Sequence, residues 1–474
     1  MGKDSGFVSQ IADIETDFPQ WYTDVVLKTK LVDYGPVKGT MVIRPYGYAV
    51  WEHIQSALDA RFKAAGVENA YFPLLIPMSF MTKEAEHVEG FAPEVAVVTH
   101  AGGEKLQEPL AVRPTSETII GHMFGKWIES WRDLPLRQNQ WCNVMRWEKT
   151  TRPFLRTSEF LWQEGHSVYM TGEEAEQETL QMLALYEEFA RNVLCMPVLT
   201  GRKTEKEKFA GAVATYGMEA MMHDGKSLQS GTTHYMGQNF AKAFDVQFTD
   251  KDGTLHYGYT MSYGVSTRLI GALIMTHGDQ RGLVLPPPVA PVQVIIVPIA
   301  QKKEGVLDTC NALAAQLSEA GLRVKVDDSD NSPGWKFNEW EMKGVPVRIE
   351  LGPRDIENQK MLLFRRDTCE KTEENLGDVH AVRGLLGSIA QNLYVRAKER
   401  MEARISPAQN LDELLAGVEK GFVRTGWCGE RSCEDKVKEF AQATARVMDN
   451  NHTAKTCVCC GKQAKHTVYF ARAY

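Results

Sequence analysis

Residues 283–291 read Leu-Val-Leu-Pro-Pro-Pro-Val-Ala-Pro. Three consecutive prolines exclude both a helix interior and a central strand, because each fixes φ and removes a backbone donor. The segment therefore predicts a stiff linker, and it divides a chain of 474 residues that is long enough for about three domains. Before it, some 285 residues mix strand-like and helix-like patterns. After it the pattern alternates: a β-branched run at 292–299, an amphipathic helix at 304–319 stopped by Gly321, a strand at 322–326, a helix at 335–343 and a strand at 345–351. Such alternation predicts a small sheet covered by helices. A long charged helix at 379–404 leads into a cysteine-rich tail.

With 43% apolar and 24% charged residues the chain can bury a real core. No run reaches the ~18 uninterrupted apolar residues of a membrane span; the most apolar window, 282–300, contains five prolines and a glutamine. The start, Met-Gly-Lys-Asp-Ser-Gly, carries an early acid and no apolar core, unlike a secretory leader, and Gly6 breaks the myristoylation pattern. A cytoplasmic protein with no membrane partner is expected. The net charge of −7 excludes a simple basic nucleic-acid coat, although residues 391–474 hold 14 basic and 10 acidic side chains. Of nine cysteines, Cys142, Cys195, Cys310 and Cys369 are scattered, while Cys428, Cys433, Cys457, Cys459 and Cys460 cluster. In a reducing compartment such a cluster points to metal before disulfide. Cys428-x4-Cys433 and Cys457-x2-Cys460 supply four thiolates, enough for a closed structural zinc site. Cys459 offers a competing spacing, and Gly461 favours Cys460 as the ligand.

No glycine-rich phosphate loop is present: Gly225-Lys-Ser mimics the end of one, but Ala220 stands where its first glycine belongs. A nucleotide would have to be held by side chains on a sheet. Val144-Met-Arg-Trp-Glu148 places Arg146 and Glu148 on one strand face, and the return segment 156–164 supplies Arg156, Phe160, Gln163 and Glu164. Arginine forks suit phosphate oxygens and a flat aromatic can stack on a base. Taken alone, the same hairpin also fits a surface ladder of ion pairs.

The order of neighbouring segments goes further. The helix-like stretch 48–65 followed by Gly66-Val-Glu-Asn-Ala-Tyr-Phe-Pro resembles motif 1 of class II aminoacyl-tRNA synthetases, Arg146 to Glu164 resembles motif 2, and Gly264-Val-Ser-Thr-Arg268-Leu-Ile-Gly resembles motif 3. Thr267 stands where many class II enzymes have glutamate. Val112-Arg-Pro-Thr115-Ser-Glu117-Thr, Trp162-Gln-Glu-Gly-His166 and Gln229-Ser-Gly-Thr-Thr-His234-Tyr-Met-Gly-Gln-Asn are similar to prolyl-tRNA synthetases, as is the stretch from Gly334 through Glu341 and Arg348 to Asp355. The cysteine tail resembles the archaeal and eukaryote-like branch.

The resemblance implies an α+β multidomain protein. Its parts would be a class II catalytic domain on an antiparallel sheet (1–285), an α/β anticodon-binding domain (286–390) and a small C-terminal zinc-binding-like α/β domain (391–474). It implies activation of L-proline with ATP and Mg²⁺, transfer to tRNA(Pro), and a homodimer. Thr115, Glu117, Arg146 and His234 would line the proline pocket. Arg146, Glu148, Arg156, Thr157, Gln229, Thr232, Ser266 and Arg268 would contact ATP, with Arg146 and Arg268 the catalytic cations. Phe91 and Glu94 would belong to a loop that closes over substrate, and Tyr474 would reach back towards the active site. Glu341 and Arg348, with Lys371 beside them, would read the guanines of a proline anticodon through their donors and acceptors. Arg156 and Arg268 stand too close in sequence for an editing insertion between them. A synthetase-like protein that binds tRNA without charging it, and a class II enzyme for threonine or glycine, are the competing readings.

Overall fold

The computed structural model describes residues 11–82 and 95–474 in full and 83–87 by backbone alone; Phe91 and Glu94 lie outside the described residues. A seven-stranded sheet organises the first part. Its strands run in the order Glu68–Asn69, Leu136–Met145, Glu159–Tyr169, Tyr259–Ser266, Ser227–Gly237, Ala214–Met221 and Val198–Arg202. All pairs are antiparallel except the first.

One face of this sheet is covered by the helices Pro45–Ala64, Gly172–Asn192 and Arg268–His277. The second of these starts on a reciprocal cap between Thr171 and Glu174, which satisfies donors the helix itself leaves free. Ile54, Leu58, Phe62, Tyr186 and Phe189 pack against Met218, Met261, Tyr263 and Val265 of the sheet. Each large apolar side chain buried this way contributes about 1.5–3 kcal/mol. Gly165 makes the close approach of two strands possible, since a Cβ there would stand 2.0 Å from the Tyr263 ring. On the opposite face the helices Glu117–Trp127 and Asn239–Phe244 pack over Val168 and Met236, and the remainder of that face is left to the site.

The hairpin departs from expectation in one respect. The first strand stops at Met145, and its partner begins at Glu159. The Arg146 N–H donates to the Ser158 carbonyl at 2.8 Å and the Arg152 N–H to that of Arg156 at 2.6 Å. Arg146, Glu148 and Arg156 thus sit on the connection rather than alternating along strands.

After the prolines, a five-stranded sheet runs in the order Val324–Val326, Val294–Pro298, Val347–Leu351, Lys360–Arg365 and Lys371–Asn375, the first three parallel. Helices Val306–Glu319, Pro333–Met342 and Val379–Ala403 accompany it. The helix Val379–Ala403 runs through position 390 and buries Val382, Leu386, Ile389 and Leu393 in this second core. The proline segment is not an exposed spacer. Leu283, Val284 and Leu285 are buried, and the main chain is tied to Met342 and Gly344. Arg323 donates to the carbonyls of Pro287, Pro288 and Ala290 at 2.7–3.0 Å.

The last part is a four-stranded sheet ordered Ile405–Pro407, Phe422–Trp427, His466–Ala471, Thr444–Met448. It docks on the edge of the seven-stranded sheet: a Cβ at Gly201 would meet the Met448 carbonyl at 2.2 Å. Arg446 reaches across to Glu219 at 2.9 Å, and Ser227 pairs with Ala473. Among the described residues no helix is long and apolar enough to cross a membrane.

Candidate active site

A cavity of about 270 Å³ opens on the other face of the large sheet, beside the helix Glu117–Trp127. It is lined by Thr115, Glu117, Arg146, Gln229, Thr232, His234, Ser266 and Arg268, eight of the residues singled out in sequence. Glu148, Arg156 and Thr157 line a smaller adjoining hollow with Arg146, Phe160, Ser266 and Arg268. The Thr157 hydroxyl is already spent, donating to the Glu159 carbonyl at 2.7 Å.

The two central arginines are held by main-chain oxygens. Arg146 Nε donates to the Pro114 carbonyl at 3.0 Å, and its guanidinium lies 5.5 Å from the Phe160 and Trp162 rings. Arg268 Nε donates to the Leu155 carbonyl at 3.1 Å and Nη1 to that of Gln229 at 3.4 Å. Burial, followed by the charges of Arg146 and Arg156, brings Arg268 down to about 10, which still leaves it a cation at neutral pH. Carbonyl tethers fix these guanidiniums, while Glu117, Glu164 and Glu148 act on Arg146 through space and partly offset the effect of its burial.

Beneath them lies an acidic group. Thr115 Oγ1 donates to Glu117, whose carboxyl burial pushes above its usual range. His166 Nε2 sits 3.2 Å from Glu164. Burial opposes the charge on both, but their mutual attraction outweighs it, holding Glu164 low and His166 high. Ser116 N–H and Gln140 Nε2 also donate to Glu164. His234 is the contrast. Its Nδ1 is 3.0 Å from Thr215 Oγ1, and burial, aided by Lys203 and His166, pushes it down to about 3, so the ring is neutral. It packs on Phe209 at 4.7 Å between centroids.

Sequence reasoning quoted Glu164 and His166 without seeing their pairing, although their i, i+2 spacing puts both on one strand face. It missed Lys203 and Phe209, which come from a loop far along the chain and line the same cavity. Arg113, in the Val-Arg-Pro-Thr motif, is 1% exposed and braces the site by donating to the Asn143 and Phe72 carbonyls. Tyr474 reaches the motif 2 connection: its ring lies 5.9 Å from the Arg152 guanidinium, and its hydroxyl donates to Asp224 at 2.6 Å.

In the second sheet, Glu341, Arg348 and Lys371 come together with Phe337, Glu350 and Phe364. The Arg348 guanidinium is sandwiched between Phe337 and Phe364 at 4.1 and 4.0 Å and chelated by Glu350 at 2.8 Å. Its remaining face points to Glu341 at 3.9 Å. It is therefore not the open fork expected from sequence. Glu341 pairs with Arg281 at 2.8 Å, and Lys371 with Glu350 at 2.8 Å.

In the third domain, the sulfurs of Cys428, Cys433, Cys457 and Cys460 lie within 4.8 Å of one another, and Cys459 is outside the set. The Cys428–Cys433 and Cys428–Cys460 separations are 3.6 and 3.8 Å. Tetrahedral zinc with bonds of about 2.3 Å places its sulfurs about 3.8 Å apart. The four residues fit the ion.

Residues 99–277 match the tRNA synthetase class II core domain (G, H, P, S and T), 293–382 an anticodon-binding domain, and 411–474 the C-terminal domain of prolyl-tRNA synthetases. The chain is 59% identical to a proline–tRNA ligase of Alkaliphilus oremlandii over 100% of its own length and 99% of that protein's. It is 57% identical to one from Lachnoclostridium phytofermentans, with both chains fully covered. A crystal structure of prolyl-tRNA synthetase from Cryptosporidium parvum, complexed with halofuginone and AMPPNP, superposes with a TM-score of 0.94 at 41% identity, covering 98% of this chain and 99% of that one.

Proposed function

The chain belongs to the prolyl-tRNA synthetase family, and we propose that it activates L-proline with Mg·ATP and transfers it to the 3′ end of tRNA(Pro). The observation that carries this reading is one cavity holding two arginines tethered by main-chain carbonyls beside a buried carboxyl pair and a neutral histidine. The chemistry asks for such an arrangement. Two anions, a carboxylate and a triphosphate, must be pressed together, and charge growing on the α-phosphate must be met by fixed cations.

In this reading the proline imino cation binds Glu117, relieving the burial that raises its carboxyl. Thr115 orients Glu117, and His234 accepts or donates as a neutral ring on the pocket wall. Arg146 bridges the proline carboxylate and the α-phosphate. A carboxylate oxygen bonds to the α-phosphorus as its bond to pyrophosphate breaks, and the 3′-terminal ribose hydroxyl of tRNA then displaces AMP from the adenylate. Arg268 holds the outer phosphates, with Arg156, Glu148, Thr157, Gln229, Thr232 and Ser266 around the nucleotide and Phe160 stacking on its base.

Glu341 reads an anticodon guanine while Arg348, already saturated, positions it. Lys371 and Phe337 flank them. Zinc on Cys428, Cys433, Cys457 and Cys460 is structural, supplying a cross-link and no chemistry. Exposed Tyr34, Val37, Val42 and Tyr71 in and around the motif 1 region support a homodimer. Nine cysteines with no disulfide among them and a role in translation support a cytoplasmic location.

Pyrophosphate exchange across a panel of proline, threonine, glycine and alanine, followed by charging of total tRNA, tests the assignment. Proline-dependent exchange and charging are expected. Exchange with threonine or glycine in its place would overturn the specificity, and tRNA binding without exchange would overturn catalysis.

A further inference from the structure

Glu219 is completely buried on the strand Ala214–Met221, and three side chains converge on its carboxylate. Arg446 of the C-terminal domain approaches both oxygens, with Nη2 at 3.0 and 2.9 Å and Nε at 3.2 Å. Ser227 Oγ donates at 2.8 Å. Lys203 Nζ donates at 3.1 Å, and this lysine, itself 4% exposed, lines the substrate cavity together with Thr215 and His234. The lysine stem crosses Gly217, where a Cβ would stand 2.9 Å from Cε. Its path from Glu219 to the cavity therefore needs a glycine on the intervening strand. A buried carboxylate shared by two cations is pulled by both, so the position of each cation depends on the other, and losing one leaves the carboxylate to the partner that remains.

We propose that Glu219 is a positioning residue through which Arg446 fixes Lys203 on the wall of the cavity beside His234, so that docking of the C-terminal domain sets the proline affinity of the catalytic domain. This rests on reading the cavity as the proline site. Remove Arg446 and Glu219 turns to Lys203 as its only cation, drawing the ammonium away from the cavity. The geometry also explains why a lysine that never emerges to solvent influences the histidine across from it: the neutral state of His234 is maintained in part by that nearby charge.

The test is proline-dependent pyrophosphate exchange with the full-length variants Arg446→Met, Arg446→Lys, Lys203→Met and the double variant Arg446→Met/Lys203→Met. For Arg446→Met and Lys203→Met we expect KM for proline to rise about tenfold, with kcat and KM for ATP within about twofold of wild type. Arg446→Lys should restore part of the loss. The double variant should be no worse than the single ones, since two steps of one route do not add. An unchanged proline KM in Arg446→Met, additive losses in the double variant, or equal losses in kcat and in both KM values would overturn the proposal. Should Arg446→Met fail to fold, Arg446→Lys and Lys203→Met carry the same comparison. Absence of proline-dependent exchange in the wild type would instead defeat the underlying assignment of the cavity.

Discussion

The arginines of the cavity are partly buried and the arginine of the second sheet fully so, and the two sets are handled in opposite ways. Arg146 and Arg268 are tethered by carbonyl oxygens, which orient a guanidinium without neutralising it. Arg348 is clamped between two rings and chelated by Glu350. A cation that must meet growing negative charge is worth most when nothing has cancelled it beforehand. One that must hold a neighbour in register is worth most when it cannot move. The same residue type is thus spent as charge in one place and as scaffold in the other.

Four substitutions test this contrast, in falling order of effect. Arg146→Ala should lower proline-dependent exchange at least ~1000-fold, because an electrostatic contact at the reacting centre is lost, while the thermal midpoint stays within a few degrees. Near-normal exchange would show that the charge is not used. Glu341→Gln should leave exchange untouched but reduce kcat/KM for charging tRNA about 10–100-fold, the usual worth of one base-edge contact. A parallel loss in exchange would mean that the second sheet supports the fold instead of reading RNA.

Cys433→Ser should remove bound zinc, read as metal content per chain, and lower the unfolding temperature of the third domain with little change in exchange at low temperature. Full metal content in that variant would exclude Cys433 as a ligand. The smallest effect concerns His166 and Glu164. His166 is raised from 6.5, so its contribution to stability is complete below that value and fades as pH rises through its folded value. Glu164 is lowered from 4.5, so its contribution holds above 4.5 and fades as pH falls further. The pair therefore helps most between these values. The difference in thermal midpoint between wild type and His166→Asn should peak there, and a pH-independent difference would show that the pair is not charged.

The sequence made the cavity legible because its residues come in tight local spacings: Thr115 with Glu117 at a helix start, Arg146 with Arg156 on one connection, Gln229 with His234 on one strand. Arg348 and Glu350 also share a strand face, so their pairing was readable in principle, yet the demand for a base-reading fork obscured it. Glu219 and Arg446 lie 227 positions apart, and no local rule joins them. The prolines were read for the stiffness they give the backbone, while the burial of the segment and the clasp by Arg323 depended on side chains from other elements. Strand ends at Met145 and Glu159 escaped because a tight turn, not side-chain alternation, decided where pairing stopped.

That buried proline seam has a consequence for the nucleic acid. With Leu283 to Leu285 packed inside and three carbonyls held by one arginine, the connection between the cavity and the Glu341 cluster is braced along its length, which favours one separation over others. The molecule works as a gauge. A tRNA gains most by presenting its anticodon and its acceptor end at that span, so an arm lengthened or shortened by a base pair would be penalised even with every recognised base in place.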